Sequence, residues 1–225
     1  MPSWYDSTTI ASYDEEVSCM LEYTGERIIP KLIKPMNGML LEHLARYYFA
    51  TPYVKGRVLD IACGTGYGSH MTAKERKREV TEIVAVDLDS ETLDYANVEY
   101  NHQKITYQQG DITDRTLPER LGTFDTILCF ETIEHVADER AVMDNLYQLL
   151  KPGGILVLSS PFGRGRGIPS GEPFHVHQLT AEQFPELFVD FKEVDIYYQR
   201  GVTFEKPRDG VRYFIGIAVC VKAWE

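Results

Sequence analysis

The sequence predicts an α/β fold built on a parallel sheet with helices on both faces, and three observations carry that expectation. Short β-branched runs alternate with helical segments from Val58 onward, the pattern of strands buried between two helical layers. The runs are apolar on both faces, as in a covered parallel sheet. A glycine-rich turn, Gly64-Thr65-Gly66-Tyr67-Gly68, joins the first run to a helix, the junction at which such sheets bind nucleotides.

Strands are expected over residues 57–63, 82–88, 105–110, 124–130 and 155–159, each followed by a turn or a helix start. One helix over residues 40–50 precedes them, after a polar, proline-containing approach. Asp89 or Ser90 caps a helix that runs to about residue 100, and a second helix over residues 138–150 is stopped by Lys151-Pro152-Gly153-Gly154. The charge run at residues 74–78 reads as a solvated helix end. After the glycine-rich segment 163–171, a short helix is expected over residues 181–188. Strands over 193–198 and 213–222 follow, able to pair as a hairpin at the sheet edge.

A chain of 225 residues with 44% hydrophobic content closes one core, so residues 1–225 are expected to form a single domain. Thirty-four acidic against twenty-three basic residues give a net charge of -11, which repels a polyanion, so no nucleic-acid partner is expected. Cys19, Cys63, Cys129 and Cys220 are too scattered for a zinc site, a redox dithiol or a disulfide framework, and a reducing, cytoplasmic compartment is expected. The opening residues lack the basic start and apolar run of a signal peptide. The longest apolar stretch, residues 214–221, is too short to span a bilayer, so no membrane association is expected.

The glycines are spaced G-x-G-x-G, whereas a dinucleotide loop places its third glycine one residue later, which argues against NAD and an oxidoreductase. Asp60, at the strand end beside the loop, would repel a pyrophosphate but suits the ammonium of an amino-acid ligand. S-adenosyl-L-methionine carries that ammonium and no phosphate. Asp87, twenty-one residues past Gly66, ends a second apolar strand, where a carboxylate can accept from both ribose hydroxyls, with Leu88 flanking the adenine. Asp111 ends the third strand and can meet the exocyclic amine of adenine; a turn-forming acid is the competing reading.

VLDIACGTGYGS, VAVDLD, QGDIT, FDTILCFETIEHV and LKPGGILVLSSP resemble, in order and spacing, the successive motifs of class I S-adenosylmethionine-dependent methyltransferases. The resemblance covers residues 54–161 strongly. It implies a Rossmann-like, doubly wound seven-stranded sheet in the order 3-2-1-4-5-7-6, the last strand antiparallel, with a small N-terminal helical cap. It divides the domain into a cap (1–53), a cofactor-binding core (54–161) and an acceptor-side insertion with the C-terminal strands (162–225). It also implies that Gly64 and Gly66 line the methionine end, that Asp87 holds the ribose, and that Asp111 with Ile112 holds the adenine. The lead-in TGERIIP with EHLARYYFA resembles that of a subset associated with sugar or secondary-metabolite pathways. On that helix Arg46 could reach the cofactor carboxylate.

Methyl transfer from a sulfonium is an in-line displacement, so alignment and water exclusion dominate. Phe130 and Glu131 should border the methyl-donor pocket, with Glu134 and His135 a helical turn beyond. For a hydroxyl acceptor His135 is the leading general base and His175 the second, each against a purely structural role. Glu131, Glu134 and His135 also resemble a pattern of ubiquinone-pathway O-methyltransferases linked to a divalent metal; ordinary solvated helices show the same spacing, and no metal is expected here. His175 and His177 alternate, so on an extended segment both would face one side. Arg164 and Arg166 suit a phosphate or carboxylate of the acceptor, or a solvated turn, and Tyr5, Tyr13, Tyr23 and Phe174 could wall the pocket.

The expected activity is therefore S-adenosylmethionine-dependent methylation, with S-adenosyl-L-homocysteine as product, on an oxygen of a sugar, phenolic or natural-product small molecule. N-methylation and a non-catalytic cofactor-binding subunit are the alternatives, and a homodimer is an open expectation.

Overall fold

The computed structural model describes Leu21 and residues 27–224; Tyr5, Tyr13, Cys19 and Tyr23 lie outside the described residues. Helix α1 (Gly38–Ala50) has its first turn capped by the Asn37 side chain, which accepts from the Leu40 amide at 3.2 Å. Strand β1 (Gly56–Ile61) runs into the glycine turn and α2 (Tyr67–Glu75). Then follow β2 (Val80–Asp87), α3 (Ser90–Glu99) capped by Asp89, β3 (Ile105–Gln109), the short α4 (Leu117–Leu121) and β4 (Phe124–Phe130). Beyond these come α5 (Glu139–Leu149) capped by Asp138, β5 (Leu150–Pro161), β6 (Glu193–Arg200), β7 (Thr203–Glu205) and β8 (Ile215–Val221).

The sheet has eight strands in the order β3-β2-β1-β4-β5-β8-β6-β7. The seven expected strands take the expected relative order, and β8 is antiparallel to β5 and β6. One expectation for the sheet is corrected: β7, three residues long, adds an eighth strand at the edge. β6 and β8 pair antiparallel as expected, with β8 on the inner side between β5 and β6. β8 is buried along most of its length, which explains the place: its apolar run needs two neighbours, whereas the polar β6 tolerates a position nearer solvent. The helix expected over residues 181–188 shrinks to a 3-10 segment, Phe184–Phe188, with Pro185 in its first turn.

The core lies on both sheet faces. One cluster joins Leu59, Ile127, Leu156 and Cys220 to α5 and the Phe184–Phe188 segment; the other joins Val58, Leu128, Val157 and Ile217 to α1 and α2. Cys63, Cys129 and Cys220 are buried free thiols. No helix among the described residues is long and apolar enough to cross a membrane. Parallel strands β1, β2, β4 and β5 end together, since Ile61 pairs with Val86 and Cys129, and Phe130 with Ser159. That carboxyl edge also receives the start of β8 and the end of β6, because Ile215 pairs with both Pro161 and Gln199.

Candidate active site at the carboxyl edge of the sheet

β1 delivers Asp60 to the edge, and the chain then turns through Ala62 (φ 57), Gly64 (φ 54) and Gly66 (φ 82) before α2 begins. A non-glycine residue held in the left-handed region is uncommon and costs energy that the surroundings must supply. Glu131 (φ 49), at the end of β4, is the other such residue among those described. Both mark the ends of β1 and β4 at the carboxyl edge, a signal of backbone geometry that no residue pattern carried.

Two carboxylates flank the glycine turn. Asp60 is 1% exposed and accepts from the Ser69 hydroxyl at 2.5 Å and from the Tyr47 hydroxyl at 3.2 Å. Burial pushes its carboxyl up to about 7, the two hydroxyls oppose the rise, and the charge of Asp87 adds to it. Asp87 accepts from the Gly64 amide at 2.8 Å through Oδ2 and from the Asp89 amide at 3.1 Å through Oδ1. A carboxylate has about four lone-pair directions, so two backbone bonds leave Asp87 able to accept from a ribose. A Cβ on Gly64 would meet nothing within 4 Å, whereas one on Gly68 would lie 1.9 Å from the Tyr47 ring. Gly64 therefore faces open space, while Gly68 admits the ring that holds Asp60.

Leu88 is 65% exposed, an open apolar surface beside Asp87, and Ile112 is buried. The Asp111 carboxylate accepts from the amide and hydroxyl of Thr113, the arrangement of a turn-forming acid. The segment before α1 covers the glycine turn: Thr65 donates to the Ile28 carbonyl at 2.8 Å and Arg27 pairs with Asp89.

Arg46 is 1% exposed. Its Nη1 donates to Gln199 Oε1 at 2.8 Å, its Nη2 lies 4.0 Å from Glu131 Oε2, and its Nε is buried without a hydrogen-bond partner. The guanidinium thus stands at the tip of β4 with one donor still to be satisfied. Sequence reasoning missed its companions. His43, one turn earlier on α1, meets the Tyr67 hydroxyl at 3.2 Å and is held neutral, well below the usual histidine range, by burial and then by Arg46. Their i, i+3 spacing on one helix was the available signal.

Glu131 does not join Glu134 and His135. Its Oε1 accepts from the Ser159 hydroxyl at 2.7 Å, on the side of the sheet. The group that does form is Glu134, His135 and His175, one ligand atom of each lying within 4.8 Å of the others. His175 was the sequence-distant member that the spacing alone did not provide. A carboxylate and two imidazoles can hold a divalent cation. His135 Nδ1 meets the Phe174 carbonyl at 3.1 Å; a carbonyl only accepts, so Nδ1 carries the proton and Nε2 is the basic nitrogen.

His175 and His177 do not share a side, because the segment is not extended. His175 stacks edge-on against His135 at 4.9 Å. His177 turns inward, buried, with Nε2 3.7 Å from Glu139. Arg166 is paired with Glu139 and Glu186 rather than poised for an acceptor, and Arg164 is exposed. Phe174 is half exposed beside the histidine pair.

Residues 59–158 match the family model described as a methyltransferase domain. A protein of Mycolicibacterium smegmatis named "Probable S-adenosylmethionine-dependent methyltransferase" is 30% identical over 179 residues, covering 77% of this chain and 66% of its own. The chain carries a class I S-adenosylmethionine-dependent methyltransferase domain. A ubiquinone biosynthesis O-methyltransferase of Xylella fastidiosa is 30% identical over 166 residues, covering 71% of this chain and 64% of its own. The chain spans just under two thirds of the length of these curated relatives. For the fold, a complex of the Haloferax volcanii Trm112 methyltransferase activator with a methyltransferase superposes at a TM-score of 0.64 and 17% identity, covering 83% of this chain and 92% of that one. S-adenosylmethionine is the donor of this class, and the donor set fits it: a cation-friendly pair of carboxylates, an open glycine turn and an unsatisfied buried guanidinium NH.

Proposed function

We propose that the protein transfers a methyl group from S-adenosylmethionine to an oxygen of a small molecule. The observation that carries the donor reading is the pair Asp60 and Asp87 around the glycine turn, where burial and then the charge of Asp87 raise the cost of negative charge on Asp60, a field that favours a cationic ligand and disfavours a pyrophosphate. When bound, S-adenosylmethionine supplies an electrophilic methyl group on a sulfonium. Asp87 and the Gly64 turn would hold the ribose side, with Leu88, Asp111 and Ile112 about the adenine. Gly66, Asp60 and Arg46 would hold the amino-acid side, and Phe130 and Glu131 would form the wall behind the methyl group.

For an oxygen acceptor the proton must leave, and His135 Nε2, 3.9 Å from Glu134 Oε1, is the nitrogen left basic by the carbonyl anchor on Nδ1; His175 stands beside it. The name of the Xylella fastidiosa relative supports oxygen over nitrogen as the acceptor atom. The grouping of Glu134, His135 and His175 supports a second reading, in which these residues hold a divalent cation that polarises the acceptor hydroxyl.

Incubation with labelled S-adenosylmethionine and a panel of phenols, sugars and amines tests the activity. Transfer to a hydroxyl compound is expected, whereas donor binding without transfer to any acceptor would favour a non-catalytic subunit. His135→Ala should lower the single-turnover rate by about 10²-fold or more. Unchanged rates in both His135→Ala and His175→Ala would remove the base assignment. A rate that collapses with chelator and returns with a divalent cation would favour the second reading.

A further inference from the structure

The carboxyl edge carries a second feature beyond the donor site, on the β5-β8-β6 half of the sheet. A cavity of about 340 Å³ opens there, lined by Glu42, Gln199, Arg200, Arg212, Phe214 and Ile215 among others. Its floor is the start of β8 and the end of β6, level with the end of β5 through the Ile215–Pro161 pair. Its inner wall is Gln199, 4% exposed, fixed by three bonds: Arg46 donates to its Oε1, and its Nε2 donates to the carbonyls of Glu42 at 3.0 Å and Gly201 at 2.7 Å. Arg46 in turn stands 4.0 Å from Glu131 at the tip of β4. One buried side chain thus separates the cavity from the guanidinium that borders the donor pocket.

The chemistry of the lining is unusual for this chain. Against a net charge of -11, residues 200–212 hold four cationic side chains and two acidic ones. Among the described residues no carboxylate lies within ion-pair distance of Arg212, whose guanidinium instead lies 5.0 Å above the Phe214 ring. Phe214 is 61% exposed, and its backbone carbonyl is pinned by the Phe162 amide at 2.7 Å. Arg200 reaches Glu205 only at 3.7 Å, and that carboxylate is already engaged by Arg208 and Tyr213, both at 2.8 Å. An exposed ion pair of that length is worth little and yields to a better anion. Glu42, on the facing helix, would accept from a hydroxyl.

We infer that this cavity is a binding site for an aromatic small molecule bearing an oxyanion, a carboxylate or a phosphate, held by Arg200 and Arg212 with its ring against Phe214. Guanidinium groups bind both anions in a bidentate manner, and an aromatic face beside a cation favours a planar ligand. The anion site is independent of the proposed methyl transfer and stands or falls on binding alone.

Calorimetric titration of the full chain saturated with S-adenosylhomocysteine tests it, with benzoate, phenyl phosphate, phenol and inorganic phosphate as probes. Benzoate, phenyl phosphate or both should bind about tenfold or more tighter than phenol and inorganic phosphate, and whichever binds identifies the anion. Arg212→Ala and Arg200→Ala should each lose that preference while keeping S-adenosylhomocysteine affinity and melting temperature, and Arg212→Lys should retain part of it. Equal binding of phenol, unchanged binding in both variants, or no binding of any probe overturns the inference. Failure of the donor reading would show separately, as absent S-adenosylhomocysteine binding in the unmodified protein.

Discussion

Asp60 ties the donor site to pH. Its carboxyl sits at about 7 in the folded chain against an ordinary 3.8, so the proton favours the folded form. The stability this group contributes is full below about pH 4 and is lost as pH rises through about 7. A bound ammonium pulls the other way, since it favours the carboxylate. Affinity for S-adenosylhomocysteine should therefore fall about tenfold from pH 8 to pH 6, and Asp60→Asn should flatten that dependence in calorimetry while raising the melting temperature at pH 8. Two glycines offer a paired test. Gly68→Ala must displace the Tyr47 ring that bonds Asp60 and should cost about 1–3 kcal/mol of stability in denaturant titration. Gly64→Ala meets no neighbour and should cost only about 1–2 kcal/mol for its left-handed backbone, with most of its effect on ligand affinity under the proposed donor reading.

At the scale of elements, α1 joins the two halves of the carboxyl edge. Tyr47 reaches Asp60 on β1, and Arg46 reaches Gln199 on β6. Removing one partner of a buried polar network leaves the other unsatisfied, so Arg46→Ala should cost about 2–3 kcal/mol and speed amide exchange in α1 and at the end of β6. This bridging was only half legible in the sequence. Arg46 stands out as a cation on an apolar helix face, but Gln199 lies 153 positions away and carries no local signal. The parallel strands were legible because burial on both faces leaves continuous apolar runs, and the helices capped by Asp89 and Asp138 because a cap is a local rule. β7 was not, since three residues among glycine, proline and charge hold no periodicity. The histidine segment misled for a related reason: alternation places His175 and His177 together only on a strand, and this stretch is a loop anchored through the Val176 amide to the Glu134 carbonyl at 2.8 Å.

For the whole molecule, the proposed donor site is a seam among parts distant in sequence. The segment at Ile28 is bonded to Thr65, Arg27 to Asp89, and α1 to β1, all across the same glycine turn. A ligand bound under that cover adds to the ties between the N-terminal segment and the sheet, so its binding energy appears both as global stability and as local order there. At about 100 times its dissociation constant a ligand adds about 2.7 kcal/mol, which for a domain of this size corresponds to roughly 5–10 °C in melting temperature. S-adenosylhomocysteine should produce that shift and slow amide exchange at residues 27–30 and 62–68 together. NAD should produce neither, because its pyrophosphate would face Asp60 and Asp87 where a cation is favoured. A shift with NAD equal to that with S-adenosylhomocysteine would mean that the two carboxylates do not select the ligand, and the charge argument on which the donor reading rests would fail with them.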